Sequence, residues 1–259
     1  MKRSDLDIRR DQIVALLAEN GSLSAQELCQ RLKVSVQTIR ADLRDLDEAS
    51  LVQRRNGVAR LRQQAENIGY LPRLTVSHSE KHQIAQAVQQ LVPHGARVAL
   101  GTGTTVAQCA RLLAARQDLL VATNSLHAVV ALQHAPGARV EMAGGSVRLR
   151  DLDVISPASI EFFARYRMEQ AIFSCGGISQ SGEVLDYNTE EITARQAIAA
   201  CAKQKILVVD SAKFDRDLPC QMQHLWDYDV VVTGAELSES LRKKCAASGC
   251  RTIQVALPQ

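Results

Sequence analysis

From residue 97 onward the chain repeats one pattern: a short apolar run, a step of glycine or small polar residues, then a stretch with helical spacing. The apolar runs are 97–100, 119–123, 139–143, 170–174, 205–209, 230–233 and 252–255. Helical spacing occupies 81–91, 106–115, 125–133, 156–166, 189–202 and 237–247. Such short apolar runs read as strands buried on both faces. A strand that passes through a helix before the next strand returns parallel to the first, which predicts a mainly parallel α/β domain over 79–257. Aromatic residues are only 3% of the chain, so its core must be Leu, Val, Ile and Ala, and a base-stacking surface for single-stranded nucleic acid is disfavoured.

The first 60 residues follow another rule. Leu6, Ile13, Leu16 and Leu17 have helical spacing, and Asn20-Gly21 ends that helix. Ser24 and Glu27 form a capping box for a short helix carrying Leu28 and Leu32. Val34 marks a turn, and Ser35 caps a third helix with Ile39, Leu43 and Leu46 as its buried stripe. Residues 51–61 read as two short strands about Asn56-Gly57. Three helices and a basic hairpin predict a winged helix-turn-helix over 5–61, followed by a linker over 62–78. Residues 1–62 hold 12 Lys+Arg against 9 Asp+Glu, whereas 63–259 hold 19 of each. The whole positive excess therefore lies in the segment expected to meet a polyanion.

A helix fits the major groove of duplex DNA and can present its N-terminal residues to base edges. With Ile39 and Leu43 turned to the core, the opposite face of the third helix offers Ser35, Gln37, Thr38, Arg40 and Arg44. Gln suits adenine, and Arg suits guanine or phosphate. Ser24, Ser35 and Thr38 suit phosphate contacts at helix N-termini. Arg54, Arg55 and Asn56 would meet the DNA backbone or minor groove from the hairpin tip. Asp42, Asp45, Asp47 and Glu48 on the same helix oppose this reading unless cations such as Arg44 or the hairpin arginines pair with them.

In the larger domain, Gly101, Thr102, Gly103, Thr104 and Thr105 lie between a strand and a helix, where backbone N–H groups and the helix dipole suit a phosphate. The segment lacks the last glycine of a dinucleotide fingerprint and the lysine of a nucleotide-binding P-loop, so no nucleotide cofactor is expected. Thr123, Asn124, Ser125, Gly144, Gly145, Gly176, Gly177 and Asp210–Lys213 also sit at strand ends. In an open α/β sheet these ends converge on one crevice. Lys213 would meet an anion there; Arg148 and Arg150 are weaker candidates.

Val34-Ser35-x-x-Thr38-Ile39-Arg40-x-Asp42-Leu43-x-x-Leu46, preceded by Leu23-Ser24-x-x-Glu27-Leu28, resembles the signature of the DeoR family of bacterial repressors of sugar metabolism. Arg73, Lys81-x-x-Ile84-Ala85, Thr123-Asn124-Ser125, Gly144-Gly145, Glu191 and Asp210-Ser-Ala-Lys213-Phe214 resemble later motifs of that family. The resemblance implies a sensor domain similar to ribose-5-phosphate isomerase and adds Glu191 to the effector residues. It implies three partners: double-stranded operator DNA, a small phosphorylated sugar or polyol, and further copies of the chain in a homodimer or homotetramer. This sequence departs from the family where Gly101 and Ser179 stand in place of Asp, where Ser156-Pro157 replaces a Gly-containing pair, and at Gly57-Val58 in the hairpin. Loss of two carboxylates implies a changed effector or a pocket that has lost its effector.

A rival reading is a sugar-phosphate isomerase carrying a DNA-binding appendage, with Glu191, Asp186 or Asp210 as general base. A third is a helix-turn-helix that binds protein. No nucleophile motif and no metal-binding spacing is present, so neither catalysis nor a metal is assigned. The seven scattered cysteines read as buried thiols. With no signal peptide or apolar run of membrane-spanning length, the expected location is the cytoplasm, at the nucleoid, with no membrane partner.

Overall fold

A computed structural model of the chain describes residues 5–48, 52–55, 57–61 and 70–256. The chain divides into two compact units, 1–78 and 79–259.

The N-terminal unit runs α1 (Asp5–Asn20), β1 (Ser22–Ser24), α2 (Ala25–Leu32), α3 (Val36–Glu48), β2 (Val52–Arg55), β3 (Val58–Leu61) and α4 (Tyr70–Thr75). The capping box forms as expected: the Ser24 hydroxyl accepts from the Glu27 N–H at 3.2 Å, and Glu27 accepts from the Ser24 N–H at 2.7 Å. Lys33, in the left-handed region at φ 54°, ends α2. Ser35 then starts α3 by accepting from the Thr38 N–H at 3.1 Å. Ile13, Leu17, Leu28, Ile39, Leu43, Leu46 and Val52 fill one core. Truncating any of them to alanine would cost about 2–5 kcal/mol. β3 lies between β1 and β2 in a small antiparallel sheet. Gly57 turns the hairpin at φ +79°; Asn56 lies outside the described residues.

Two features were not expected. β1 has three residues and pairs with distant 58–60, so no local period announces it. The linker reading of 62–78 is corrected where it can be compared. Residues 70–75 form α4, Tyr70 is buried, and Val76 packs on the N-terminal core, while 62–69 lie outside the described residues. Tyr70, Leu71, Leu74 and Val76 make only a short apolar stretch, and Pro72 within it reads as a break rather than a helix.

The second unit begins with α5 (His78–Leu91), β4 (Arg97–Leu100), α6 (Thr104–Leu113), β5 (Leu120–Thr123), α7 (Leu126–Ala131) and β6 (Arg139–Met142). It continues through α8 (Pro157–Ala164), β7 (Met168–Phe173), β8 (Gly177–Ile178), β9 (Glu183–Asp186) and α9 (Thr189–Ala200). β10 (Ala202–Val208), β11 (Cys220–His224), β12 (Val230–Thr233), α10 (Glu239–Ala247) and β13 (Arg251–Gln254) complete it. Every apolar run expected as a strand joins one parallel sheet, ordered β13-β12-β10-β7-β4-β5-β6. Val98, Leu100, Val121, Ile172 and Val208 pack with α5, α6 and α7, whereas Ala99, Ala122, Phe173 and Leu207 pack with α8, α9 and α10. Strand order reverses between β4 and β7, and the carboxyl ends at such a switch point are where open α/β sheets bind ligands. β7 starts two residues before the expected run because Met168 pairs with Ala202 of β10 and its N–H donates to the Cys201 carbonyl at 2.7 Å. Gln170 is buried and donates to the Leu91 carbonyl at 2.8 Å and to Gln204 Oε1 at 3.0 Å. The antiparallel sheet β11-β9-β8 was not expected.

Candidate DNA-binding and effector sites

On α3, Ser35, Gln37, Arg40 and Arg44 are exposed and Thr38 is half-buried, opposite the buried Ile39, Leu43 and Leu46. The helix thus has the two faces that its spacing predicts. The Ser35 and Thr38 hydroxyls lie 2.8 Å apart in the cap. On the hairpin, Arg60 donates to Gln53 Oε1 at 3.0 and 2.6 Å, while Arg54 and Arg55 are exposed.

The acids of α3 have partners that the sequence reading did not name. Asp42 is 1% exposed and accepts from Arg9 Nε at 2.5 Å and Arg10 Nε at 3.4 Å, while Arg10 also pairs with Asp45. Both arginines belong to α1. For Asp42 and Asp45, arginines of α1 stand where Arg44 or the hairpin arginines were expected; Asp42 lies three residues from Ile39 and so faces inward with it. Two acids of α3 are neutralised from behind, and its outer face keeps its cations.

In the second unit, α6 begins without a side-chain cap. Gly103 precedes it at φ +107°, a conformation that favours glycine, and a Cβ there would meet nothing within 4 Å. The first intrahelical bond runs from the Ala107 N–H to the Gly103 carbonyl at 2.9 Å, so the N–H groups ahead of it have no acceptor in the helix. Leu100 pairs with Thr123 across β4 and β5, which sets Gly101–Gly103 beside Asn124. Asn124 is buried; its Nδ2 donates to the Val154 carbonyl at 3.0 Å, and its Oδ1 has no hydrogen-bond partner.

Other candidates are spent on structure. Thr123 Oγ1 donates to the Leu100 carbonyl at 2.8 Å, and Ser125 caps α7. The Gly176 N–H donates to the Leu185 carbonyl at 3.0 Å and to Asp186 Oδ2 at 3.2 Å. A Cβ at Gly177 would lie 2.7 Å from Arg216, so this glycine serves packing. Gly144 and Gly145 are exposed, and Lys213 is half-buried at the end of the turn 211–213. At Gly101 a Cβ would come 3.0 Å from the Phe173 Cβ, so a carboxylate there would need Phe173 to give way. Ser179 sits in the turn between β8 and β9 and donates to Glu183 Oε2 at 2.8 Å.

Glu191 has two cationic neighbours. Arg148 clasps Asp153 with two bonds of 2.7 Å and reaches Glu191 Oε1 at 2.8 Å. Arg195 lies 3.3 Å from Glu191 Oε2 and also pairs with Asp186. Burial works against the Arg148 charge, but Asp153 and Glu191 outweigh it and hold the guanidinium pKa above its ordinary value. With Glu191 and Asp186 held by arginines, neither is a free general base. Among the described residues, no group of three His, Cys, Asp or Glu could hold a metal. No helix among them is long and apolar enough to cross a membrane.

Residues 9–65 match the DeoR-like helix-turn-helix domain, and residues 76–235 match the DeoR C-terminal sensor domain. The chain belongs to the DeoR family. It is similar to the glycerol-3-phosphate regulon repressor of Haemophilus influenzae, 35% identical over 90% of each chain. The Escherichia coli protein of the same name is 32% identical over 88% of this chain and 90% of its own. The E. coli HTH-type transcriptional repressor CsqR is 30% identical over 97% of this chain and 95% of its own. These DeoR-family relatives are named as repressors, and this member is likewise a DNA-binding transcriptional regulator with a sensor domain, not an enzyme. Among solved structures, ribose 5-phosphate isomerase A of Methanocaldococcus jannaschii covers 53% of this chain and 55% of its own at 16% identity and a TM-score of 0.39. That likeness is too low to carry an argument; the α/β assignment rests on the sheet itself.

Proposed function

We propose that this DeoR-family chain represses a sugar or polyol operon in the cytoplasm, at the nucleoid, and releases its operator when a small phosphorylated sugar or polyol binds at the strand-end crevice. A homodimer or homotetramer lays α3 into major grooves spaced by one helical turn, roughly 34 Å, or a multiple of it. Gln37, Arg40 and Arg44 meet base edges and phosphates. Ser24, Ser35 and Thr38 meet phosphates, and Arg54, Arg55 and Asn56 hold the backbone or minor groove from the hairpin.

The observation that supports the effector half is the uncapped start of α6 at Gly103 beside Asn124, a buried amide whose Oδ1 has no partner. N–H groups of a helix start favour a phosphate, and a carboxamide oxygen favours a hydroxyl donor. A ligand with a phosphate at one end and hydroxyls at the other satisfies both. Lys213 adds positive charge, while Glu191 holds Arg148 and Arg195 in place. Two relatives are named for the glycerol-3-phosphate regulon, which makes sn-glycerol 3-phosphate the first compound to test. Calorimetric titration is expected to show saturable binding by the wild type, and Lys213→Ala to weaken it about tenfold, the worth of one charge-assisted hydrogen bond. No heat with any phosphorylated sugar or polyol would refute the effector site; an unchanged affinity in Lys213→Ala would remove that residue from it.

A further inference from the structure

We propose that Glu80 is a positioning residue that couples the strand-end crevice to the first turn of α5, where the chain arrives from the N-terminal unit. The inference rests on reading that crevice as the effector site.

Glu80 is 4% exposed although it carries a carboxylate. Its Oε1 accepts from the Ser211 N–H at 2.6 Å and from the Gly234 N–H at 3.0 Å, and its Oε2 accepts from the Ser211 hydroxyl at 2.7 Å. The donors come from two loops, one after β10 and one after β12. The neighbouring Lys81 sets its ammonium 3.8 Å from Asp210 Oδ2. A Cβ at Gly234 would lie 2.5 Å from Glu80 Oε1, so the carboxylate occupies the space a side chain would take and packs directly on the loop backbone.

The turn that Glu80 grips also carries Lys213. The Lys213 N–H donates to the Asp210 carbonyl at 3.0 Å and the Phe214 N–H to the Ser211 carbonyl at 3.2 Å, so two backbone bonds tie Lys213 to the residues that Glu80 grips. On α5, Ile84, Ala85 and Val88 are buried against the sheet and leave the helix little room to absorb a shift at one end. A displacement of Lys213 toward an anion is therefore passed through Ser211 and Glu80 to residues 78–81. Burial raises the Glu80 carboxyl pKa despite the Ser211 and Gly234 bonds, so the group is held there at an electrostatic cost that an apolar staple would avoid.

Hydrogen–deuterium exchange on the full-length chain reads α5 directly. Two disturbances of the turn are compared: saturating sn-glycerol 3-phosphate, and Lys213→Ala. In otherwise wild-type protein, each is expected to change exchange at residues 79–83 by about twofold or more. In the Glu80→Gln background the response should stay within 210–214. Ser211→Ala, which keeps the two backbone bonds, should give an intermediate response and guards against a folding defect in Glu80→Gln. Silence at 79–83 in the wild type, or an equal response there in wild type and Glu80→Gln, would overturn the coupling. If sn-glycerol 3-phosphate changes nothing anywhere but Lys213→Ala still reaches α5, that compound fails as effector and the coupling stands.

Discussion

On α3, Arg40 and Arg44 stand in solvent while the acids between and beside them, Asp42 and Asp45, are paired with arginines of α1. At the strand ends of the sensor unit the arrangement is inverted: Arg148 and Arg195 are partly covered and locked to Asp153, Glu191 and Asp186. On the proposed function, the difference follows from the size of the partner. A polyanion would be met by freely placed cations whose counter-charges are kept on the far side of the helix. A small anion would be met by backbone N–H groups, with the arginines as scaffold around it.

The comparison can be broken most readily at Asp42. Asp42→Ala leaves two arginines facing a lost carboxylate and should cost the N-terminal unit about 3 kcal/mol. Urea denaturation followed by circular dichroism would show an earlier transition. The fluorescence of Trp226, the single tryptophan, would keep its midpoint because it lies in the other unit. A circular-dichroism profile like the wild type's would mean that the ion pairs beneath α3 are idle. Arg148→Ala is the mirror experiment. It leaves Asp153 and Glu191 without their shared cation, and the Trp226 transition should lose about 2 kcal/mol, whereas affinity for DNA measured without ligand should not change. Arg40→Ala reverses that pattern, with no loss of stability but a loss of about 1–3 kcal/mol in affinity for DNA sequences selected by the wild type. Equal binding at fixed salt would remove Arg40 from the interface.

The smallest expected effect concerns the thiols. Burial pushes Cys175 and Cys250 up to about 12 and Cys201 to about 11. Cys29 and Cys220 are half-exposed. Iodoacetamide at about pH 8 should mark Cys29 and Cys220 well before Cys175, Cys201 and Cys250, since only the thiolate reacts. Rapid labelling of Cys175 in the native chain would show that the crevice opens more than its packing implies.

What could be read from the sequence was what is local. Ile39, Leu43 and Leu46 set the orientation of α3 through a single period, and the inner strands of the parallel sheet carry short apolar runs such as Val98–Leu100, Val121–Ala122, Ala171–Phe173, Ile206–Val208 and Val230–Val232. The antiparallel β8, β9 and β11 escaped because they are short and mix polar with apolar positions, and because β11 finds its partner only across the intervening α9 and β10. The proposed site was suggested in the sequence where backbone chemistry would make it, at Gly101–Thr105. It was not legible where distant side chains meet: Arg148 is 43 residues from Glu191, and Glu80 is 131 from Ser211. The acids of α3 looked like an objection to DNA binding because nothing local reveals that Arg9 and Arg10 of α1, 33 and 32 residues away, meet Asp42.

The account stands on one coupling, between the outward face of α3 and the crevice at the start of α6. Fluorescence anisotropy of wild-type-selected duplex DNA, titrated at fixed salt with and without saturating sn-glycerol 3-phosphate, measures it directly. The account predicts that ligand weakens the complex by about 5- to 150-fold, the range of a coupling free energy of 1–3 kcal/mol. Identical affinity in a chain that calorimetry shows to be ligand-saturated would contradict it.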